Sequence, residues 1–350
     1  MKDIQIGKVL LGDDHPCLIV AEISGNHGGK IENAIELIRE AKKAGADAVK
    51  LQTYKGNTIT LNCKRKDFLI PKDSPWASYG NLYDLYNHAH TPWEWHAQLF
   101  HEARKVGLEI FSSPFDLTAV KFLQELNVPA FKIASPEIND LPLIENVAKT
   151  GIPVIISSGL ATYNDLLNAI STIKNRGCTD IIILKCTTAY PAPENEANLM
   201  TMVDMKRAFD CLTGLSDHTH GISIPIAAVV LGANMIEKHI ALENDNEAVD
   251  SFFSLNPKQF KSMVHEIKRA ESAIGTINYN ITKSVENNLY GKRSIYISSD
   301  IKKGQTITQE NIRSVRPGYS LDPKYYYSIL GKKALRDLKF GDRNTIDDFS

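Results

Sequence analysis

The sequence predicts an α/β fold: a (β/α)8 TIM barrel over residues 1–275, a linker over 276–291 and a small β-rich domain over 292–350. Three observations support this. Strand-like apolar segments alternate with amphipathic helical ones from Cys17 to Gly275, about eight of each, the number a closed barrel needs. The strand segments are continuous apolar runs, as parallel strands buried on both faces require. After Gly275 the chain turns polar and rich in Asn, Thr and Ser, then gives short strand segments between Gly- and Pro-bearing turns.

In order, the strands are Cys17–Ser24, Ala48–Tyr54, Glu109–Phe115, Ala130–Ser135, Pro153–Gly159, Asp180–Cys186, Cys211–Asp217 and Met235–Ile240. Amphipathic segments such as Ile31–Lys43 and Pro92–Val106 separate them, and Pro257–Ile274 closes the barrel. A doubly wound open sheet is the competing architecture. It carries a glycine-rich phosphate loop after its first strand, and Glu22-Ile23-Ser24-Gly25-Asn26-His27-Gly28-Gly29 is not that fingerprint. Residues 55–90 form a long excursion whose Phe68, Leu69, Ile70 and Trp76 predict an ordered, functional loop, because a disordered segment carries less apolar surface. The last 60 or so residues make a marginal core of their own, so this module is expected to dock on its own barrel or on a partner's.

Hydrophobic residues at 43% and charged residues at 23% are a soluble globular composition. A net charge of −1 argues against a nucleic-acid partner, so any charged substrate is met by local groups. Apolar runs fall short of the roughly 20 residues that cross a bilayer, and no signal-like apolar core follows the start. The five cysteines are odd in number and form no C-x-x-C pair, which predicts reduced thiols in a cytoplasmic protein.

Barrel chemistry collects at the C-terminal ends of the strands. Those ends deliver Glu22; Lys50 and Gln52; Ser112 and Ser113; Lys132, Ser135 and Glu137; Ser157; Lys185, Thr188 and Tyr190; Ser216, Asp217 and His218; and Glu237, Lys238 and His239. Lysines inside apolar strands are costly unless an anion or a carboxylate meets them. Lys50, Lys132, Lys185 and Lys238 therefore predict a cationic mouth for phosphate or carboxylate, or else pairs with rim acids such as Glu22, Glu137 and Glu237. His218 and His239, at successive strand ends, would share a metal or a substrate oxygen, or sit as packed rim imidazoles. A Schiff-base aldolase using Lys132 or Lys185 is a further reading of the same residues.

Ala21-Glu22-Ile23-Ser24-Gly25-Asn26-His27, Lys50-Leu51-Gln52-Thr53-Tyr54, Phe111-Ser112-Ser113-Pro114-Phe115, Lys132-Ile133-Ala134-Ser135-Pro136-Glu137, Gly214-Leu215-Ser216-Asp217-His218-Thr219 and Glu237-Lys238-His239 resemble, in order, the signatures of the sialic acid synthase family. The C-terminal module, with Ser314-Val315-Arg316-Pro317-Gly318, resembles the antifreeze-like (SAF) domain of these synthases. That domain also prompts a second functional reading, a sugar- or ice-binding protein with a dead barrel. Gln52-Thr53-Tyr54, Leu82–Tyr86, Thr91–His96 and Gly331-Lys332-Lys333 are most similar to the pseudaminic acid branch, ahead of the legionaminate and N-acetylneuraminate branches. Thr188 stands where neuraminate synthases carry asparagine.

The resemblance implies condensation of phosphoenolpyruvate with 2,4-diacetamido-2,4,6-trideoxy-L-altrose (6-deoxy-AltdiNAc), or with the neuraminic or legionaminic precursor as the alternative. It implies Mn²⁺ or Mg²⁺ on His218 and His239, phosphoenolpyruvate held by Lys50, Ser113, Lys132, Ser135, Ser157 and Ser216, and Glu137 beside a metal-bound water. Glu22, Gln52, Tyr190 and Asp250 would face the sugar or the reacting centre, with Thr188 beside them. Arg316 would reach the barrel mouth of the other subunit in a domain-swapped homodimer. Residues 55–90 would read the deoxy carbon, with Phe68 and Trp76 as the apolar contacts.

Overall fold

The computed structural model describes residues 2–243 and 248–350. It separates into two units, Met1–Gly275 and Thr276–Ser350.

The first unit opens with a hairpin, β1 (Ile4–Ile6) against β2 (Val9–Leu11). Eight parallel strands then close into a barrel: β3 (Leu18–Glu22), β4 (Ala48–Thr53), β5 (Glu109–Pro114), β6 (Phe131–Ile133), β7 (Val154–Ser157), β8 (Ile181–Cys186), β9 (Leu212–Asp217) and β10 (Met235–His239). Closure is made by β10 lying parallel to β3, with His239 opposite Glu22. The sequence expectation of a TIM barrel holds. The hairpin was not expected; its Ile4, Ile6 and Leu11 pack on Leu18, Leu212 and Met235, and so plug the N-terminal end of the barrel.

Alternation along each strand divides the residues into two cores. One set, including Leu18, Val20, Ala48, Phe111, Ala130, Ile155, Ile182, Leu184, Leu212 and Met235, fills the barrel interior. The intervening set, such as Ile19, Ala21, Val49, Leu51, Ile110 and Ile236, packs on the helical ring. Helix Ile31–Ala44 shows the fit: Ala34, Leu37, Ile38, Ala41 and Ala44 form one buried stripe. Gly45 then ends it at φ 93°, a left-handed conformation that a side chain would strain. Side chains also fix the helix starts, with Asp116 accepting from Thr118 and Ala119 N–H, and Asn256 forming a capping box with Gln259 ahead of helix Pro257–Ile274.

The excursion after β4 is ordered. It contains short turns of helix at Gly56–Ile59, Lys66–Phe68 and Ala77–Tyr79, then helix Leu82–Ala89 capped by Asn81. The second unit pairs β11 (Ser294–Ile297) antiparallel with β12 (Ile312–Val315) around a core that includes Ile295, Ile297, Ile301, Ile307, Ile312 and Leu338. No helix among the described residues is long and apolar enough to cross a membrane.

Candidate active site

The residues of the interior set continue to the C-terminal ends of the strands, where apolar side chains give way to polar ones. Above Val20 comes Glu22, above Ala48 Lys50, above Ala130 Lys132, above Ile155 Ser157, and above Met235 Glu237 and then His239. A cavity of about 510 Å³ opens over this layer. Its wall includes Glu22, Lys50, Gln52, Lys132, Ser135, Glu137 and Ser157, and on the other side Thr188, Tyr190, Ser216, His218, His239 and Asp250.

The floor is an alternation of buried charges. Lys50 Nζ lies 2.9 Å from Glu22 Oε2 and 3.8 Å from Glu237 Oε1. Lys132 Nζ lies 3.7 Å from the same Glu237 oxygen, which also accepts from Ser216 Oγ at 2.9 Å. Burial pulls Lys132 below the ordinary lysine range, against the upward effect of Glu237. For Lys50 the Glu22 and Glu237 charges outweigh burial, and the net shift is upward. Burial pushes Glu22 up, whereas on Glu237 the two ammonium groups overcome burial and pull it down. The Ser157 hydroxyl and one oxygen each of Glu137 and Glu237 are buried without a hydrogen-bond partner among the described residues. The Ser157 hydroxyl, an unpartnered donor beside two cations, suits an anionic ligand that accepts from it. Gly159 keeps this cradle open: a Cβ there would lie 2.0 Å from Thr188 Oγ1 and 2.8 Å from Ser135 Oγ. Its N–H donates to Ser135 Oγ at 3.0 Å.

His218 and His239 face one another with ring centroids 5.3 Å apart, both against Phe253. Nδ1 of His218 lies 3.0 Å from the Thr187 carbonyl, which can only accept, so Nδ1 carries a proton and, in the neutral ring, Nε2 presents its lone pair. Nδ1 of His239 is buried and has no hydrogen-bond partner among the described residues; Asp250 Oδ2 is 3.9 Å away. Burial, with His218 and the nearby lysines, holds the His239 imidazole neutral, well below its ordinary value. For His218 the pull of Cys186 and of the Thr187 carbonyl outweighs burial and the net shift is upward; in their neutral forms the two facing imidazoles present nitrogens that fit a divalent metal. No cluster of three or more His, Cys, Asp or Glu suited to a metal occurs among the described residues, so most of the coordination would come from substrate and water.

A polar network faces these rings. Ser24 Oγ donates to Asp250 Oδ2 at 2.5 Å and accepts from Gln52 Nε2 at 3.0 Å, while Gln52 also donates to Glu22 Oε1 at 2.9 Å. Ser24 holds a left-handed φ of 49°, a strained conformation for a residue other than glycine. Burial raises Asp250 above the ordinary carboxylate range and lifts Glu137 to about 7.

Three expectations need correction. Lys185 and Lys238 do not line the cavity, because alternation turns them to the outer face of the barrel. Lys185 donates to the Cys186 carbonyl at 2.7 Å, and Lys238 pairs with Asp217 Oδ2 at 2.5 Å. Ser113 lies in the interior set of β5 with its hydroxyl unpartnered among the described residues, but does not reach the cavity wall. Phe68 is absent from that wall as well, whereas Trp76 is part of it. Arg316, expected to act from the C-terminal module, lies in the second unit and is exposed there. Among the cavity residues that went unrecognised in the sequence are Ser24, which stood in plain sight inside the Glu22–His27 motif, and Cys186, two residues past Leu184 and so of interior parity.

Residues 37–279 match the model of the NeuB family. The chain belongs to the NeuB family. That match takes in β4 to β10 and so every cavity residue named above except Glu22 and Ser24 on the first barrel strand, and residues 292–342 match the SAF domain. The chain is 44% identical over 346 residues to the pseudaminic acid synthase of Campylobacter jejuni serotype O:2, covering 99% of this chain and 100% of that one. It is 46% identical over 334 residues to the pseudaminic acid synthase of Helicobacter pylori, covering 95% and 98%. Among solved structures, the N-acetylneuraminic acid (sialic acid) synthetase of Leptospira borgpetersenii, in complex with citrate, superposes with a TM-score of 0.72 at 30% identity, over 82% of this chain and 95% of that one.

Proposed function

We propose that this enzyme condenses phosphoenolpyruvate with 2,4-diacetamido-2,4,6-trideoxy-L-altrose to give pseudaminic acid and phosphate, breaking the C–O bond of the enol phosphate. The observation that carries this is one cavity in which a buried Lys50–Lys132 floor meets the facing imidazoles of His218 and His239. The pseudaminic acid synthases that match nearly the whole chain support the choice of sugar.

Lys50 and Lys132 bind the enol phosphate, with the hydroxyls of Ser135, Ser157 and Ser216 completing the shell and Ser113 behind it. A divalent ion, Mn²⁺ or Mg²⁺, on the free nitrogens of His218 and His239 would supply Lewis acidity toward the aldehyde oxygen. Gln52, Thr188, Tyr190, Asp250 and Glu22 orient the open-chain sugar so that its aldehyde carbon meets C3 of the enol. A C3–C1 bond forms as the enol π pair moves, and C2 then takes up water. Glu137 accepts one proton of that water and returns it to the new alkoxide; the other leaves with phosphate as the C2–O bond breaks. Arg316 of a second copy, presented by its SAF domain, closes the site in a domain-swapped homodimer.

Phosphate release from phosphoenolpyruvate tests this directly. It is expected only with both the diacetamido sugar and a divalent cation. Equal or faster release with the neuraminic or legionaminic precursor moves the chain to one of those branches. Borohydride trapping of a covalent adduct on Lys132 replaces the mechanism with a Schiff-base one.

A further inference from the structure

Ser24 places a hydroxyl at a position whose backbone suits glycine. At φ 49° a Cβ is strained and a glycine is not. Strain of this kind is held only where the surroundings over-determine it, and here the hydroxyl has two partners. Gln52 Nε2 donates one hydrogen to Glu22 Oε1 at 2.9 Å and the other to Ser24 Oγ at 3.0 Å. Ser24 Oγ has a single hydrogen, which goes to Asp250 Oδ2 at 2.5 Å. The four side chains therefore form a network with one direction, from Gln52 to Glu22 on one side and through Ser24 to Asp250 on the other. Gln52 Oε1 and Asp250 Oδ1 are left over, both acceptors, on two residues of the cavity wall. The backbone beneath Asp250 is held separately. Asn26 Oδ1 accepts from the Asp250 N–H at 3.2 Å, and Asn26 Nδ2 donates to the Ile240 carbonyl and to Ser254 Oγ, each at 2.9 Å. Removing the Ser24 hydroxyl thus frees two side chains and leaves the path of the chain in place.

We propose that Ser24 is a positioning residue for the sugar: its hydroxyl sets the direction in which the Gln52 amide and the Asp250 carboxylate face, so that both turn acceptors toward O–H and N–H groups of the substrate. The inference rests on the sugar-condensing function above. Without the hydroxyl, the second N–H of Gln52 loses its acceptor and Oδ2 of Asp250 loses its donor. Amide and carboxylate are then free to rotate toward each other or toward water, and ordering them again opposes sugar binding. A hydrogen bond to a charged group is worth about 10- to 100-fold in an equilibrium. The enol phosphate is outside this effect, because Lys50 and Lys132 are held through other oxygens, Glu22 Oε2 and Glu237 Oε1.

The test is kcat/KM for the diacetamido sugar together with KM for phosphoenolpyruvate, in the full-length protein and in Ser24→Gly and Ser24→Ala. Both variants should lose about 10- to 100-fold in kcat/KM for the sugar, with KM for phosphoenolpyruvate unchanged. Glycine also removes the strain at φ 49°, so Ser24→Gly should melt above Ser24→Ala while losing as much activity. Native kcat/KM in Ser24→Gly overturns the proposal, since the hydroxyl then does nothing. A loss that falls equally on KM for phosphoenolpyruvate overturns it as well, because the role is then merely structural. The hydroxyl acts through its partners, so the loss from Ser24→Gly should shrink in an Asp250→Ala background, and an undiminished loss there rejects the relay. If Asp250→Ala shows no turnover, the two Ser24 variants decide alone. Absence of phosphate release by the unaltered protein is a different result: it removes the sugar-condensing function, and this inference falls with it.

Discussion

Glu237→Gln is the perturbation whose cost can be worked most fully from the geometry. The Glu237 carboxylate is the only anion within 4 Å of Lys132 among the described residues, and its Oε1 sits 3.7 Å from that ammonium and 3.8 Å from Lys50. At an effective dielectric of about 20, each such attraction is worth roughly 4 kcal/mol. Lys50 keeps Glu22 at 2.9 Å after the substitution; Lys132 keeps nothing. Leaving one buried cation unpaired costs about 3–5 kcal/mol, which lowers the barrel's melting temperature by roughly 6–10 °C. Burial already depresses Lys132, so the folded variant holds fewer protons than the unfolded chain and its stability rises with pH as Lys132 sheds its proton. The penalty should therefore be largest at neutral pH and shrink above it. Inorganic phosphate supplies the missing anion, so it should raise the variant's melting temperature more than the native protein's. Scanning calorimetry at two pH values, with and without phosphate, reads all three effects. Equal melting temperatures, or an equal lift from phosphate in both proteins, would refute the anion-floor assignment.

Four further outcomes are expected. Glu137, lifted to about 7 by burial, must be ionised to accept a proton, so kcat should fall as pH drops through about 7 and this limb should vanish with the residual rate of Glu137→Gln. The same upward shift means the folded state holds a proton that the unfolded chain has lost between pH 4.5 and about 7, so stability falls across that window and Glu137→Gln should melt higher than native at pH 8. Lys238→Met and Asp217→Leu should each cost about 3–5 kcal/mol in chemical denaturation by breaking a buried pair, and the double variant less than their sum. Mixing the inactive variants Arg316→Ala and His239→Ala should restore about a quarter of native activity if Arg316 acts in the partner's site, since half the dimers are mixed and each has one complete site. No recovery on mixing would place Arg316 in its own chain's site or outside catalysis.

Much of the floor was legible because a barrel strand offers only two directions. Glu22, Lys50, Lys132, Ser157 and Glu237 end runs whose alternate residues are the interior Val20, Ala48, Ala130, Ile155 and Met235. Lys185 and Lys238 were misplaced because both faces of a parallel strand are apolar, so the text gives no parity mark; counting back from Leu184 or Glu237 would have turned them outward. The choice between Phe68 and Trp76 had no local signal. It depends on a contact between Trp76 and Val249, far apart in the chain. The N-terminal hairpin was equally silent, since three-residue strands carry too little periodicity to register.

Manganese binding followed by electron paramagnetic resonance tests the pairing of His218 with His239 most directly, without reference to turnover. The native chain should bind one ion per barrel, and both His218→Ala and His239→Ala should lose it while keeping the native circular dichroism spectrum. Undiminished binding in both variants would contradict the account at its centre.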